Sequence, residues 1–132
     1  MLAQFKTSQG ALLQQVQIGW EAYGTLNADK SNAILITHHF SGSSHAAGRY
    51  HADDAAPGYW DSIIGPGKAI DTNQFYVISS DTLVNLNAYD PKVITTGPAS
   101  INPATGQPYG LQFPLVTIEL LLLAQSTLLN SK

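Results

Sequence analysis

The chain contains no cysteine. That excludes thiol catalysis, disulfide frameworks and cysteine-ligated zinc. Charge is also scarce. Asp, Glu, Lys and Arg make up 11% of the 132 residues, against about a quarter in ordinary globular proteins. Six Lys and Arg face nine Asp and Glu, a net charge of −3. No basic run exists to follow a phosphate backbone, so no nucleic-acid partner is expected. Long apolar runs are missing too. The longest, Leu120 to Ala124, falls far short of the roughly 20 residues that span a bilayer. The opening "MLAQFKTSQG" has no basic stretch followed by an apolar core, so no secretory leader is expected. No membrane association and a cytoplasmic location are the resulting expectations.

Apolar residues, by contrast, reach 44%. Such a composition suits a well-buried domain or a piece of a larger one. No internal repeat or boundary is visible, so residues 1–132 read as part of a single domain.

Periodicity supplies the elements. Val16 to Gly24 alternates, with Val16, Ile18, Trp20 and Ala22 on one side and Gln17, Gly19 and Glu21 on the other. Period two predicts a strand with one wet face. Ala11 to Gln15 is expected to be its hairpin partner. Thr25 to Asn32 is polar and turn-forming. Ala33–Thr37 and Phe75–Ser80 have no polar alternation and predict strands covered on both sides. A short helix is expected near Tyr59 to Ile64, closed by Gly65-Pro66-Gly67. Asp81 to Pro114 reads as a long loop, of the kind that serves as a lid or binding segment. Thr117 to Leu129 predicts a helix with Thr117 as N-cap and Glu119 in its first turn. Its leucines cover more than one face, so it calls for cover on several sides.

The chemistry concentrates in Ile34 to Tyr50, "ILITHHFSGSSHAAGRY". Gly42-Ser43-Ser44-His45-Ala46 is one residue away from the G-x-S-x-G nucleophile elbow. Two features argue against Ser44 as nucleophile. An elbow needs a strand immediately before the serine and a helix immediately after it, and Ala47 onward has no helical period. No histidine follows His51, so an order of serine, acid and histidine cannot be built on Ser44. Metal binding by His38, His39, His45 and His51 is the second reading, with Asp53 and Asp54 as borrowed ligands. The spacing matches no zinc signature, so no metal is expected. The third reading is an oxyanion loop: a buried strand ending in small residues can aim backbone N–H groups at a developing negative charge. If Ala11–Gln15, Val16–Tyr23 and Ala33–Thr37 are the first three strands, the loop falls where hydrolases place it. Composition alone does not separate that reading from a plain turn.

Four motifs then fit together: Tyr-Gly-Thr-Leu-Asn from Tyr23, His-x-x-Ser-Gly-Ser-Ser-His-Ala from His38, Ile-Gly-Pro-Gly-Lys from Ile64, and Gly-Pro-Ala-Ser-Ile-Asn-Pro from Gly97. With their flanks, from about Val16 to Leu129, they resemble the N-terminal part of the homoserine O-acetyltransferase family, whose relatives include esterases. The resemblance implies an α/β class and the N-terminal portion of an α/β-hydrolase fold, its initial strands plus one helix. It implies acyl transfer through an acyl-serine, with a Ser-Asp-His triad. It places the backbone of Phe40 and Ser41 at the oxyanion hole. Gly42, Ser43, His45, Arg49, Gly97, Pro98 and Ala99 become candidates for substrate contact. No cofactor is implied; the partner is a small-molecule ester or acyl donor, an acyl-CoA among the possible substrates.

Two departures qualify the resemblance. Thr82 to Ile94, "TLVNLNAYDPKVI", lacks the Gly-rich, Cys-containing stretch of family transferases and resembles the esterase-like branch. The family's nucleophile follows the helix matching Thr117–Leu129, so the triad is expected downstream of this chain. A fragment that supplies the oxyanion loop, inactive alone, is one expectation. The other is a non-catalytic remnant that self-associates as a homo-oligomer or docks on a separate C-terminal chain.

Overall fold

A computed structural model describes residues 2–7, 9–84, 90 and 92–117. The predicted helix at Thr117–Leu129 lies outside them, apart from Thr117 itself. The chain forms two compact units, one of residues 20–80 and one of residues 1–19 with 81–132.

The unit of residues 20–80 is built on a three-stranded sheet. Its strands are β3 (Trp20–Tyr23), β4 (Ala33–Ile36) and β7 (Tyr76–Ser80), in the order β3-β7-β4. Strand β7 is central, antiparallel to β3 with Trp20 opposite Ser80, and parallel to β4 with Ile34 opposite Val77. A parallel pair needs a crossover, and residues 37–75 supply it. Within the crossover, β5 (Ile64–Gly65) and β6 (Ile70–Asp71) form a small parallel pair. Ile36, Ala46, Ala47, Ile64 and Val77 make the core, with Tyr23, Ile34, Tyr59 and Ile70 packed against it. The polar turn after β3 is pinned by one residue. The Asn32 amide donates to the carbonyls of Thr25 and Gln74, and its oxygen accepts the Asn27 N–H.

The other unit holds a hairpin of β1 (Leu2–Lys6) and β2 (Leu12–Val16), antiparallel, with Phe5 opposite Leu13. Phe5, Leu13, Val16, Ile18, Leu83, Tyr109 and Phe113 form its core, and the Tyr109 and Phe113 rings meet edge to face at 5.3 Å. Among the described residues of 81–117 the only regular helix is a 3-10 turn, Gly110–Gln112, so this stretch is the loop expected. It is tied by hydrogen bonds. The Thr95 hydroxyl accepts the Gly19 N–H at 2.7 Å and donates to Asp81 at 2.6 Å, and both Thr95 and Asp81 are buried.

Four sequence expectations change. Val16–Gly24 is not one strand. The ladder breaks at residues 17–19, whose backbone turns to Thr95, Thr96 and Asp81 instead, and the alternation ends with Trp20 exposed. Ala11–Gln15 does contain a strand, but its partner is β1, so Ala33–Ile36 is the fourth strand in chain order rather than the third. Strand β4 is not covered on both sides. Among the described residues it lies at an edge of the sheet, and Leu35 is 43% exposed while Ile36 is buried. Tyr59–Ile64 is a run of turns, with Asp61 bonded back to Gly58 and Ile63 to Trp60, and Ile64 leaves it as β5.

Candidate functional site

The loop His38–Tyr50 leaves the end of β4. Its first feature is a β-turn: the Gly42 N–H donates to the His39 carbonyl at 2.8 Å. Phe40 and Ser41 are the two central residues of this turn. Phe40 is 86% exposed, while Gly42 is buried. A Cβ on Gly42 would meet the His38 Cβ at 3.0 Å and the His39 carbonyl at 3.1 Å, so glycine lets the turn fold back on the strand end.

The four histidines are handled separately. His38 Nδ1 lies 2.7 Å from the His39 carbonyl, which fixes a proton on Nδ1, and its buried Nε2 has no partner among the described residues. His39 Nδ1 meets the Ser41 hydroxyl at 3.3 Å, and its ring lies edge-on to Tyr59. His51 is exposed. His45 Nδ1 lies 3.1 Å from Glu21 Oε2 and its ring stacks on Tyr50, centroids 4.1 Å apart. Among the described residues no three His, Cys, Asp or Glu converge on a cation position.

Past His45 the loop is held from both sides. The Tyr23 hydroxyl accepts the N–H groups of Ala46 and Ala47 at 3.1 and 3.0 Å and donates to Glu21 Oε2 at 2.7 Å. Tyr50 donates to Glu21 Oε1. From the other side, Trp60 donates its N–H to the Ala46 carbonyl, and Gly58 to the Gly48 carbonyl, each at 2.8 Å. Burial of the Tyr23 phenol, and then the adjacent Glu21 carboxylate, hold its pKa well above the ordinary tyrosine value.

Ser44 does not have the setting of an elbow serine. It is buried, no helix follows it, and its φ is not positive. Ser43 accepts the His45 N–H at 3.3 Å. Arg49 donates to the Asp54 carbonyl, and the Asp54 carboxylate accepts the His51 N–H at 2.9 Å. Thus Phe40, Ser41, Gly42, Ser43, His45 and Arg49 share one loop. Gly97, Pro98 and Ala99 belong to the other unit, in a turn where the Ser100 N–H donates to the Gly97 carbonyl and the Ser100 hydroxyl accepts the Gly97 N–H. Nothing in the sequence alone marks Glu21, Tyr23 or Tyr50 as site residues. Glu21 and Tyr23 are two apart on a strand and therefore share a face; only that spacing could have paired them.

No protein-family model matches the chain. Individual proteins do. A homoserine O-succinyltransferase from Magnetococcus marinus is 55% identical over 109 residues, which are 83% of this chain and 26% of that protein. The solved structure of esterase E22 is 68% identical at a TM-score of 0.92, covering 98% of this chain and 35% of the other. Homoserine O-acetyltransferase from Bacillus anthracis gives the same TM-score and coverage at 50% identity. The chain therefore spans about a quarter of the length of the curated relatives it matches. Its strand-rich architecture is a portion of the fold these structures share. Identity at this level over nearly all of its length places the chain with the N-terminal portion of the homoserine O-acetyltransferases and their esterase-like relatives, which share the α/β-hydrolase fold.

Proposed function

We propose that this chain is the section of an acyl-ester enzyme that supplies the oxyanion loop, and that it does not supply the nucleophile. The observation that carries the reading is the turn His39–Gly42, set at the end of β4 and centred on Phe40 and Ser41. A backbone N–H there reaches the carbonyl oxygen of a bound ester or acyl donor. As the nucleophilic serine adds to the carbonyl carbon, charge moves onto that oxygen and the hydrogen bond strengthens. The alcohol or thiol leaves, an acyl-serine forms, and water or an acceptor alcohol releases the acyl group. The serine, aspartate and histidine of the triad belong to residues this chain does not contribute.

The stretch Thr82–Ile94, without glycine or cysteine, and the 68% identity to an esterase both support water as acceptor over homoserine. Backbone donors cannot be deleted by ordinary side-chain substitution, but proline removes one. It is favoured at the second position of such a turn, which Phe40 occupies. The test grafts residues 1–132 in place of the matching segment of esterase E22 and measures hydrolysis of p-nitrophenyl acetate. The graft is expected to turn over, and Phe40→Pro is expected to lower kcat by about 10²–10³, the cost of one oxyanion donor. Unchanged kcat in the proline variant would sink the assignment.

A further inference from the structure

Ala46 and Ala47 are almost fully enclosed, 0% and 6% exposed, so water cannot serve their N–H groups. Both donate to one oxygen, the Tyr23 hydroxyl. A phenol carries one proton and accepts through its lone pairs. Which way the lone pairs point depends on where that proton goes, and here it goes to Glu21 Oε2. The same carboxylate takes the Tyr50 hydroxyl on Oε1 and the His45 Nδ1 proton on Oε2. Glu21 thus gathers three donors, two of them from the loop itself. The side chains of Glu21 and His45 are only 19% and 18% exposed, which limits solvent competition for these bonds.

We propose that Glu21 is a positioning residue: by orienting the Tyr23 hydroxyl and clamping His45 and Tyr50, it fixes the backbone of Ala46–Ala47 and with it the second half of the loop that starts at His38. Tyr23 is the intermediary and Glu21 the anchor. Without the carboxylate, the hydroxyl rotates freely and the two alanine amides lose a fixed acceptor. The consequence for catalysis rests on the oxyanion reading above, but the clamp does not.

Amide hydrogen exchange followed by NMR on the 132-residue chain tests it, with Val77 in the central strand as internal reference. Tyr23→Phe is expected to speed exchange at Ala46 and Ala47 at least tenfold while Val77 is unchanged. Glu21→Ala is expected to act in the same direction although Tyr23 is still present, which a passive packing role would not produce. Glu21→Gln, which keeps an acceptor oxygen for Tyr23, is expected to restore much of the protection, and its tyrosine titration carries the test if the alanine variant does not fold. A spectrophotometric titration supplies the second readout. Tyr23 is expected to ionise above the ordinary tyrosine value in wild type, and earlier in Glu21→Gln. Exchange at Ala46 and Ala47 within twofold of wild type in a folded Glu21→Ala variant overturns the proposal, as does a Tyr23 titration that Glu21→Gln leaves unmoved. Neither readout involves ester turnover, so failure of the oxyanion reading and failure of the clamp are told apart.

Discussion

Gly58 is the tightest point around the loop, and replacing it with alanine tests how rigidly the loop is held. A Cβ at this position would lie 2.2 Å from the Ala47 nitrogen, 2.4 Å from the Ala46 carbonyl carbon and 2.6 Å from the Ala47 Cα. All three are backbone atoms, so no flexible side chain can yield. Ordinary contact begins at 3.4 Å, and the difference from 2.2 Å is a displacement of 1.2 Å. The Ala46–Ala47 peptide would have to move toward Tyr23 or leave it, and the bonds at 3.1 and 3.0 Å would not survive that shift. Overpacking of a tight site costs about 1–3 kcal/mol. Two lost hydrogen bonds add about 0.5–1.5 kcal/mol each. Gly58→Ala is therefore expected to destabilise the chain by about 2–6 kcal/mol. Urea unfolding followed by tryptophan fluorescence gives the stability, and amide spectra give the positions of Ala46 and Ala47. A loss under about 0.5 kcal/mol, the scatter of inconsequential substitutions, with both amides unshifted would refute the reasoning.

Two further outcomes follow from other parts of the chain. Thr95→Val keeps the volume of a buried side chain but removes the acceptor of the Gly19 N–H and a donor to Asp81; it is expected to cost about 1–3 kcal/mol, read as a fall in the urea midpoint. Asp71 accepts the N–H groups of Gly67 and Asn73 at 2.8 and 2.9 Å, and these bonds hold its carboxyl below the ordinary aspartate value. A depressed folded-state pKa stabilises the fold above the unfolded value and loses that contribution as pH falls through the folded one. The melting temperature is accordingly expected to drop on acidification below the ordinary aspartate range, and Asp71→Asn to flatten that acid limb.

The sequence made some elements plain and hid others for physical reasons. Phe75–Ser80 reads as an apolar strand because β7 is flanked on both edges, and its Val77 is fully buried. Ala33–Thr37 looks the same in composition yet sits at an edge with Leu35 exposed, a difference that hydropathy alone does not carry. Strand β1 escaped notice because only Phe5 among its five residues is buried, so no alternation marks it. In the site, the run of glycine, serine and histidine from His38 was legible because those residues are adjacent in the chain. The clamp was not. Glu21 meets His45 and Tyr50 across 24 and 29 residues, and only folding brings them together. Tyr59–Ile64 had the composition of a helical turn, but its peptide groups bond within tight turns and its end is drawn into β5.

The measurement that bears most directly on the central claim compares two substitutions in the graft on esterase E22, with p-nitrophenyl acetate as substrate. If the loop supplies backbone donors and not the nucleophile, Ser44→Ala keeps acyl-enzyme formation and Phe40→Pro loses kcat by about 10²–10³. A Ser44→Ala variant that abolishes the acyl-enzyme while Phe40→Pro turns over normally would contradict the account.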